Sequence, residues 1–271
     1  MSHRRTFESL TGAAVAVLET APANAKADLS RTIAALWRNG GITEIGWTRP
    51  PDRPARPARP RLLMPRDMPR RRGGGPAKRI AFLHAIAHIE LNAIDLAWDL
   101  IARFAGPALP REFYDDWVRV GDEEAKHFSL LAGLLDDAGA AYGDLPAHDG
   151  LWEAACETAD DILARIAIVP MVLEARGLDT APDAIRRLGK AGDEASVRVL
   201  EIIARDEETH VGFGVKWFDR LCAERGLDPA DTFRELVRSR FKGVLKPPFA
   251  EAARERAGFP KSYYEPLAAS A

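Results

Sequence analysis

The chain is short of several things that define common protein classes. Only two of its 271 residues are cysteine, Cys156 and Cys222. Two cysteines cannot make a disulfide framework or a cysteine-rich zinc site. Both are expected as small core residues in a reducing compartment. No stretch approaches the ~20 uncharged apolar residues of a membrane span. No segment of useful length shows the period-2 alternation of a half-buried strand. Net charge is nearly absent too: 38 Lys+Arg against 40 Asp+Glu leave a formal −2. That excludes a globally basic nucleic-acid binder, though not a local basic patch. Near the N-terminus, His3-Arg4-Arg5, the apolar run Leu10–Leu18 and Ala21-Pro-Ala-Asn-Ala25 faintly imitate a secretory leader. Glu8 and Glu19 bracket that run closely, and Thr11 and Gly12 interrupt it. It is expected as a short amphipathic helix of a cytoplasmic protein.

What the chain does have is an uneven distribution of charge and proline. Between Arg49 and Arg79 stand 11 Lys/Arg, two acids (Asp52 and Asp67) and eight prolines. The segment carries +9 against a chain total of −2, so the remainder carries −11. Proline removes amide donors and favours extended backbone, so residues 49–76 are expected as an extended arm ending at Gly73-Gly74-Gly75-Pro76. Before it, residues 1–48 suggest two modest helices, the second about Ala27–Trp37 and stopped by Asn39-Gly40-Gly41. After it the texture is helical. Long helices are expected over about 77–105, 111–137, 151–176 (stopping at Gly177) and 193–225, with a short one near Asp183–Leu188. Asp228-Pro229 reads as an N-cap with proline at the first helical position, opening a helix to about Lys242. From Lys246-Pro-Pro248 onward a surface tail is expected. The fold class expected is all-α, a four-helix bundle with extra N- and C-terminal helices and an extended Pro/Arg-rich arm. Its parts are 1–76 (helices and arm), 77–226 (bundle) and 227–271 (C-terminal helix and tail).

Polar residues interrupt the apolar stripe of all four long helices. Glu90 sits in the series 83, 87, 90, 94, 97, 101, and Glu124 and His127 in 117, 120, 124, 127, 131, 134. Glu174 continues Leu163, Ala167 and Pro170, and Glu207 and His210 fall among 197, 200, 204, 211 and 214. Burying four carboxylates and two imidazoles without a cation is very costly. Two divalent ions remove the problem, one per Glu-x-x-His pair, because positions i and i+3 face the same way on a helix. One Glu from each of two helices plus Glu-x-x-His from each of the other two is the ligand set of ferritin-like di-iron and di-manganese proteins. The pattern repeats internally: Glu90 precedes Glu124 by 34 residues and Glu174 precedes Glu207 by 33. With 19 Glu and six His, chance placement gives roughly 0.4 Glu-x-x-His matches, so the paired upstream glutamates carry the specificity.

Asp206 and Glu123, each just before a ligand glutamate, are candidates to accept a hydrogen bond from the non-ligating nitrogen of the opposite half's histidine. His84 and His88, with Asp95 on their side of the helix, face well away from Glu90 and are expected in a polar cluster. His148 and His3 have no case as ligands. Pro170, one turn before Glu174, is expected to bend the helix, either to aim Glu174 or merely to fit the packing. Gly212 and Gly214 either permit close helix approach or leave room for a small ligand.

The segments His84-Ala-Ile-Ala-His-Ile-Glu-Leu-Asn-Ala-Ile-Asp95, Asp122-Glu-Glu-Ala-Lys-His127, Val172-Leu-Glu-Ala-Arg-Gly-Leu-Asp179 and Arg205-Asp-Glu-Glu-Thr-His210 resemble a bacterial ferritin-like family catalogued as domain of unknown function 455. The resemblance runs from the N-terminal helices through the arm to about residue 264. It implies a ferritin-like bundle and a di-metal site at Glu90, Glu124, His127, Glu174, Glu207 and His210. More remotely the chain is similar to tRNA-modifying di-iron hydroxylases of that fold.

Three activities fit. Carboxylate-rich ligands with one histidine per ion suit iron, manganese or a mixed Mn/Fe pair, so an O₂-activating oxidase or monooxygenase acting on a small molecule stands first. Iron handling or ferroxidation without an organic substrate is the second. An RNA-directed hydroxylase using the arm for phosphate contacts is the third, weakened because no aromatic residue lies between Trp47 and Phe82 to stack on a base. Against RNA, the arm is expected to wrap its own acidic bundle or a partner subunit of a homodimer. No membrane partner is expected.

Overall fold

A computed structural model describes residues 6–69, 75–106 and 108–268; His3, Arg70–Arg72, Gly73, Gly74 and Pro107 lie outside them. Among the described residues the chain is all-helical. The only β pairings are two isolated bridges, Leu62 with Ala147 and Leu245 with Ala268. The chain divides between Trp152 and Glu153 into two compact units.

The first unit holds α1 (Leu10–Leu18), α2 (Ala23–Arg38), α3 (Pro76–Arg103) and α4 (Arg111–Asp137). Each starts or stops where local chemistry dictates. Ser9 caps α1 by accepting from the Gly12 amide at 3.2 Å. Asn39 and the left-handed Gly40 end α2. Pro76 stands in the first turn of α3, where its missing amide costs nothing. α3 packs on α1 and α4, and α4 packs on α2. α1 is not amphipathic as expected: no side chain in it is exposed, because it is clamped between the extended 44–45 segment and α3. By length and hydropathy α3 is long enough to cross a membrane. However, 67% of its most apolar window is buried against its neighbours, which is the signature of a core helix.

The arm lies on this unit. The Ala55 amide donates to Leu18 O at 2.7 Å, and Arg103 donates to Pro51 O at 3.1 Å. Leu63 N donates to Ala147 O at 2.8 Å. Arg53 pairs with Asp149, and Arg56 reaches Asp95 at 2.9 Å and the Asn92 carbonyl at 2.6 Å. The fold therefore uses part of the arm's charge to hold the arm to its own chain.

The second unit takes most of α5 (Gly150–Glu157), then α6 (Ile162–Ile168), a π-helix (Val169–Glu174), α7 (Ala175–Lys190), α8 (Glu194–Glu224) and α9 (Pro229–Arg240). The expected single helix over 151–176 is thus broken. Asp161 ends the break as an N-cap, accepting from Leu163 N at 3.0 Å. The buried Arg165 ties it together, donating to Thr158 Oγ1 at 2.9 Å and Ala155 O at 2.7 Å. Gly177 does not stop the helix. Ala175, Leu178 and Ala184 bury against α8, and that packing carries α7 through Pro182 to Lys190. The expected surface tail is also corrected. α10 (Glu251–Arg256) and α11 (Lys261–Tyr264) fold back on the unit, with Phe259 and Tyr264 fully buried. The buried Arg254 holds Asp179 at 2.8 Å. Of the two cysteines, Cys222 is a core residue, whereas Cys156 is exposed on α5.

Candidate metal centre

Each unit brings together one upstream glutamate and one Glu-x-x-His pair. In the first unit Glu90 comes from the middle of α3, and Glu124 and His127 from the middle of α4. Their relative exposures are 3%, 0% and 0%. His127 Nδ1 lies 3.2 Å from a Glu90 oxygen and 3.4 Å from a Glu124 oxygen. In the second unit Glu174 comes from the last position of the π-helix, and Glu207 and His210 from the middle of α8. His210 Nδ1 lies 3.7 Å from a Glu207 oxygen. Within each triad the candidate ligand atoms all fall within 4.8 Å of one another. This convergence needs the helical periodicity: three residues apart on α4 and on α8, the carboxylate and imidazole share one face.

The electrostatics of each triad are unbalanced. In each, two carboxylates crowd one imidazole that is charged only if protonated. Like charges at this spacing in a dry site cannot all be ionised unless a cation joins them. Two carboxylates and one imidazole are the oxygen-rich, one-nitrogen donor set that suits iron or manganese rather than zinc or copper. The residues fit a divalent ion by type, burial and convergence.

A family model described as "Protein of unknown function (DUF455)" matches residues 19–265. The chain belongs to the DUF455 family. It is 44% identical over 212 residues to an uncharacterised protein of Haemophilus influenzae, covering 75% of this chain and 72% of that one. No solved structure matches. The DUF455 match spans both triads and the arm.

Around the DUF455 triads, the bend expected at Pro170 takes the form of the π-helix, whose wider turn accommodates a residue with no amide to donate. Gly214 of α8 makes room for it. A Cβ there would stand 2.8 Å from Pro170 Cβ and 2.9 Å from Cγ, and a proline ring cannot swing aside. Gly212 has no such constraint, since its Cβ would meet Ala257 O at an ordinary 3.5 Å. Gly214→Val is expected to destabilise the protein by about 1–3 kcal/mol through overpacking and to weaken metal binding through the displaced Glu174 turn. Urea unfolding and metal titration check this; a valine variant with wild-type values in both would show that the contact is unimportant.

Asp206 is buried beside its ligand glutamate, with Arg205 3.6 Å away. Glu123 is half-buried and accepts from Arg119 at 3.1 Å. His84 and His88 do form a polar cluster on the other side of α3. His84 Nε2 accepts from Gly143 N at 2.9 Å. Burial lowers the His88 pKa to about 4, so the ring is neutral. Its Nε2–H donates to His148 O at 3.0 Å, which leaves Nδ1 to accept from Tyr142 OH at 2.8 Å. One side of the cluster was not foreseen. Lys26 of α2, fully buried, pairs with Asp95, on which Arg56 also converges. The signal was present: positions 26, 30, 33 and 37 form the buried stripe of α2, and a lysine occupies its first place.

Proposed function

We propose that this chain is a di-metal carboxylate oxidoreductase of the cytoplasm, using two ions, iron first, to activate dioxygen against a small organic substrate. Its framework in this reading is a ferritin-like four-helix bundle of α3, α4, α6 with its π-helical continuation, and α8. The observation that carries the reading is the pair of buried Glu/Glu-x-x-His triads, one in each unit. Glu90, Glu124 and His127 would hold one ion and Glu174, Glu207 and His210 the other. Bound there, the ions would supply the redox electrons and a Lewis-acid site. The chain's own contribution is to fix the ligands on rigid helices, to keep water out, and to leave carboxylate oxygens able to accept protons near the reacting atoms. In this reading Asp206 and Glu123 orient the histidines.

Metal analysis and optical spectra of the aerobic, iron-loaded protein test the reading. Two ions per chain with carboxylate-bridged ferric absorption are expected. Zinc at one ion per chain, or no metal, would sink it. Iron oxidised and released or stored at many ions per chain would transfer the site to iron handling. An RNA substrate has one observation in its favour: Arg59 and Arg61 are exposed and have no ion pair among the described residues. Co-purified RNA released steeply by salt is the result that reading requires.

A further inference from the structure

The two triads repeat in sequence but are not alike in structure. In the first, all three ligands are buried. They stand on the interiors of a 28-residue and a 27-residue α-helix. In the second, Glu207 and His210 are buried on a 31-residue helix, but Glu174 is half-buried. Glu174 also closes the six-residue π-helix, the least regular backbone that carries any of the six ligands. Pro170 within it has no amide to give, so that turn has fewer hydrogen bonds to lose when it opens. Local opening free energy is lowest where backbone ladders are incomplete and side chains already touch solvent.

We propose that the two metal positions are inequivalent, and that the ion on Glu174, Glu207 and His210 is the exchangeable one. It loads last and leaves first, and it is the ion that an exogenous ligand reaches, because Glu174 is the least buried of the six ligands and stands on the π-turn. The ion on Glu90, Glu124 and His127 is held throughout. This rests on the two-ion reading above and adds an order to it. The asymmetry comes from the backbone: a carboxylate on a π-turn changes its position by shifting one short segment, whereas moving Glu90 or Glu124 would require shifting a whole core helix.

The test is removal of cobalt(II) from the fully loaded full-length protein by excess EDTA, followed by the visible cobalt bands and by metal analysis of quenched samples. Two phases of one ion each are expected, the second slower by about ten-fold or more. Glu174→Gln should remove the fast phase and keep the slow ion, and Glu90→Gln should do the reverse. Pro170→Ala, which restores an amide while keeping all six ligands, should slow the fast phase alone. Circular dichroism of each variant confirms the fold, and the Pro170 variant keeps the test valid if a ligand variant misfolds. Release of both ions in one phase, or loss of the fast phase in Glu90→Gln instead, would overturn the inference and leave the two-ion reading intact. A protein that never holds two cobalt ions overturns the reading itself.

Discussion

Stripped of metal, the Glu124→Gln protein is expected to melt higher than wild type stripped of metal, and to gain nothing when metal is returned. The first triad places the Glu90 and Glu124 carboxylates within 3.2 and 3.4 Å of one imidazole nitrogen. Without an ion two carboxylates crowd one imidazole, all out of water. Changing Glu124 to its neutral isostere leaves one carboxylate with one imidazole. Relief of a buried, uncompensated charge is worth about 1–3 kcal/mol, in line with the gain seen when buried ionic groups are replaced. With metal the order reverses. Wild type gains about 2.7 kcal/mol when free metal stands at 100 times its dissociation constant, and the variant has lost a ligand and most of that gain. Thermal or urea unfolding in chelator and in excess metal measures all four values. Were the triad only a structural ion network, Glu124→Gln would be the weaker protein in chelator, and metal would not move wild type at all. That pattern would refute a metal role for the first triad.

The candidate ligands were legible because they break a strong rule. α4 and α8 have 3.6-residue apolar stripes and α3 is apolar almost all round, and a glutamate or histidine in such a setting is conspicuous before any coordinates exist. All six positions come together as two triads for that reason. Helix ends with a capping residue or a left-handed glycine were legible too: Asp228 and Gly40 each act locally, through one side chain or one backbone angle. What was not legible depended on distant partners. Thr158–Asp161 interrupts an otherwise good helix because Arg165 ties the break shut from a later turn. Gly177 fails to end α7 because Ala175 and Leu178 bury against α8, and packing outweighs a local preference of about 1 kcal/mol for glycine. The residues after Lys246 are rich in proline and charge, which resembles a tail. Only the fold shows Arg254 stacked by Phe249, Phe259 and Tyr264 and paired with Asp179. The arm's charge could be counted in the sequence, but which of its arginines the fold uses for itself could not.

The Lys26–Asp95 pair was missed, and it carries the largest stability effect expected in the molecule. Lys26 and Asp95 are both at 0% exposure, and Arg56 reaches the other Asp95 oxygen at 2.9 Å from the arm. Burial lowers the Lys26 pKa and raises that of Asp95, while each opposes the shift of the other and Arg56 also favours the Asp95 carboxylate. Asp95→Ala leaves a buried ammonium whose remaining contact is the Leu18 carbonyl at 3.5 Å, and it removes the nearest carboxylate from the arm's Arg56, which keeps the Asn92 side-chain oxygen at 2.6 Å. Removing one partner of a buried pair costs about 3–5 kcal/mol, and here Arg56 also loses its nearest carboxylate, so the upper end is expected. Lys26→Met should cost less, because Asp95 keeps Arg56 and the methionine stem fills the same space. The double variant Lys26→Met with Asp95→Leu should recover most of the loss, since no buried charge remains unpaired between α2 and α3. Urea unfolding of wild type, Lys26→Met, Asp95→Leu and the double variant gives the coupling directly. If the two single losses simply add in the double variant, the pair is not coupled and the account of the α2–α3 interface is wrong. Limited proteolysis adds a second readout. Cleavage in the arm should rise in Asp95→Ala and hardly at all in Lys26→Met, because only the first change removes Arg56's nearest carboxylate.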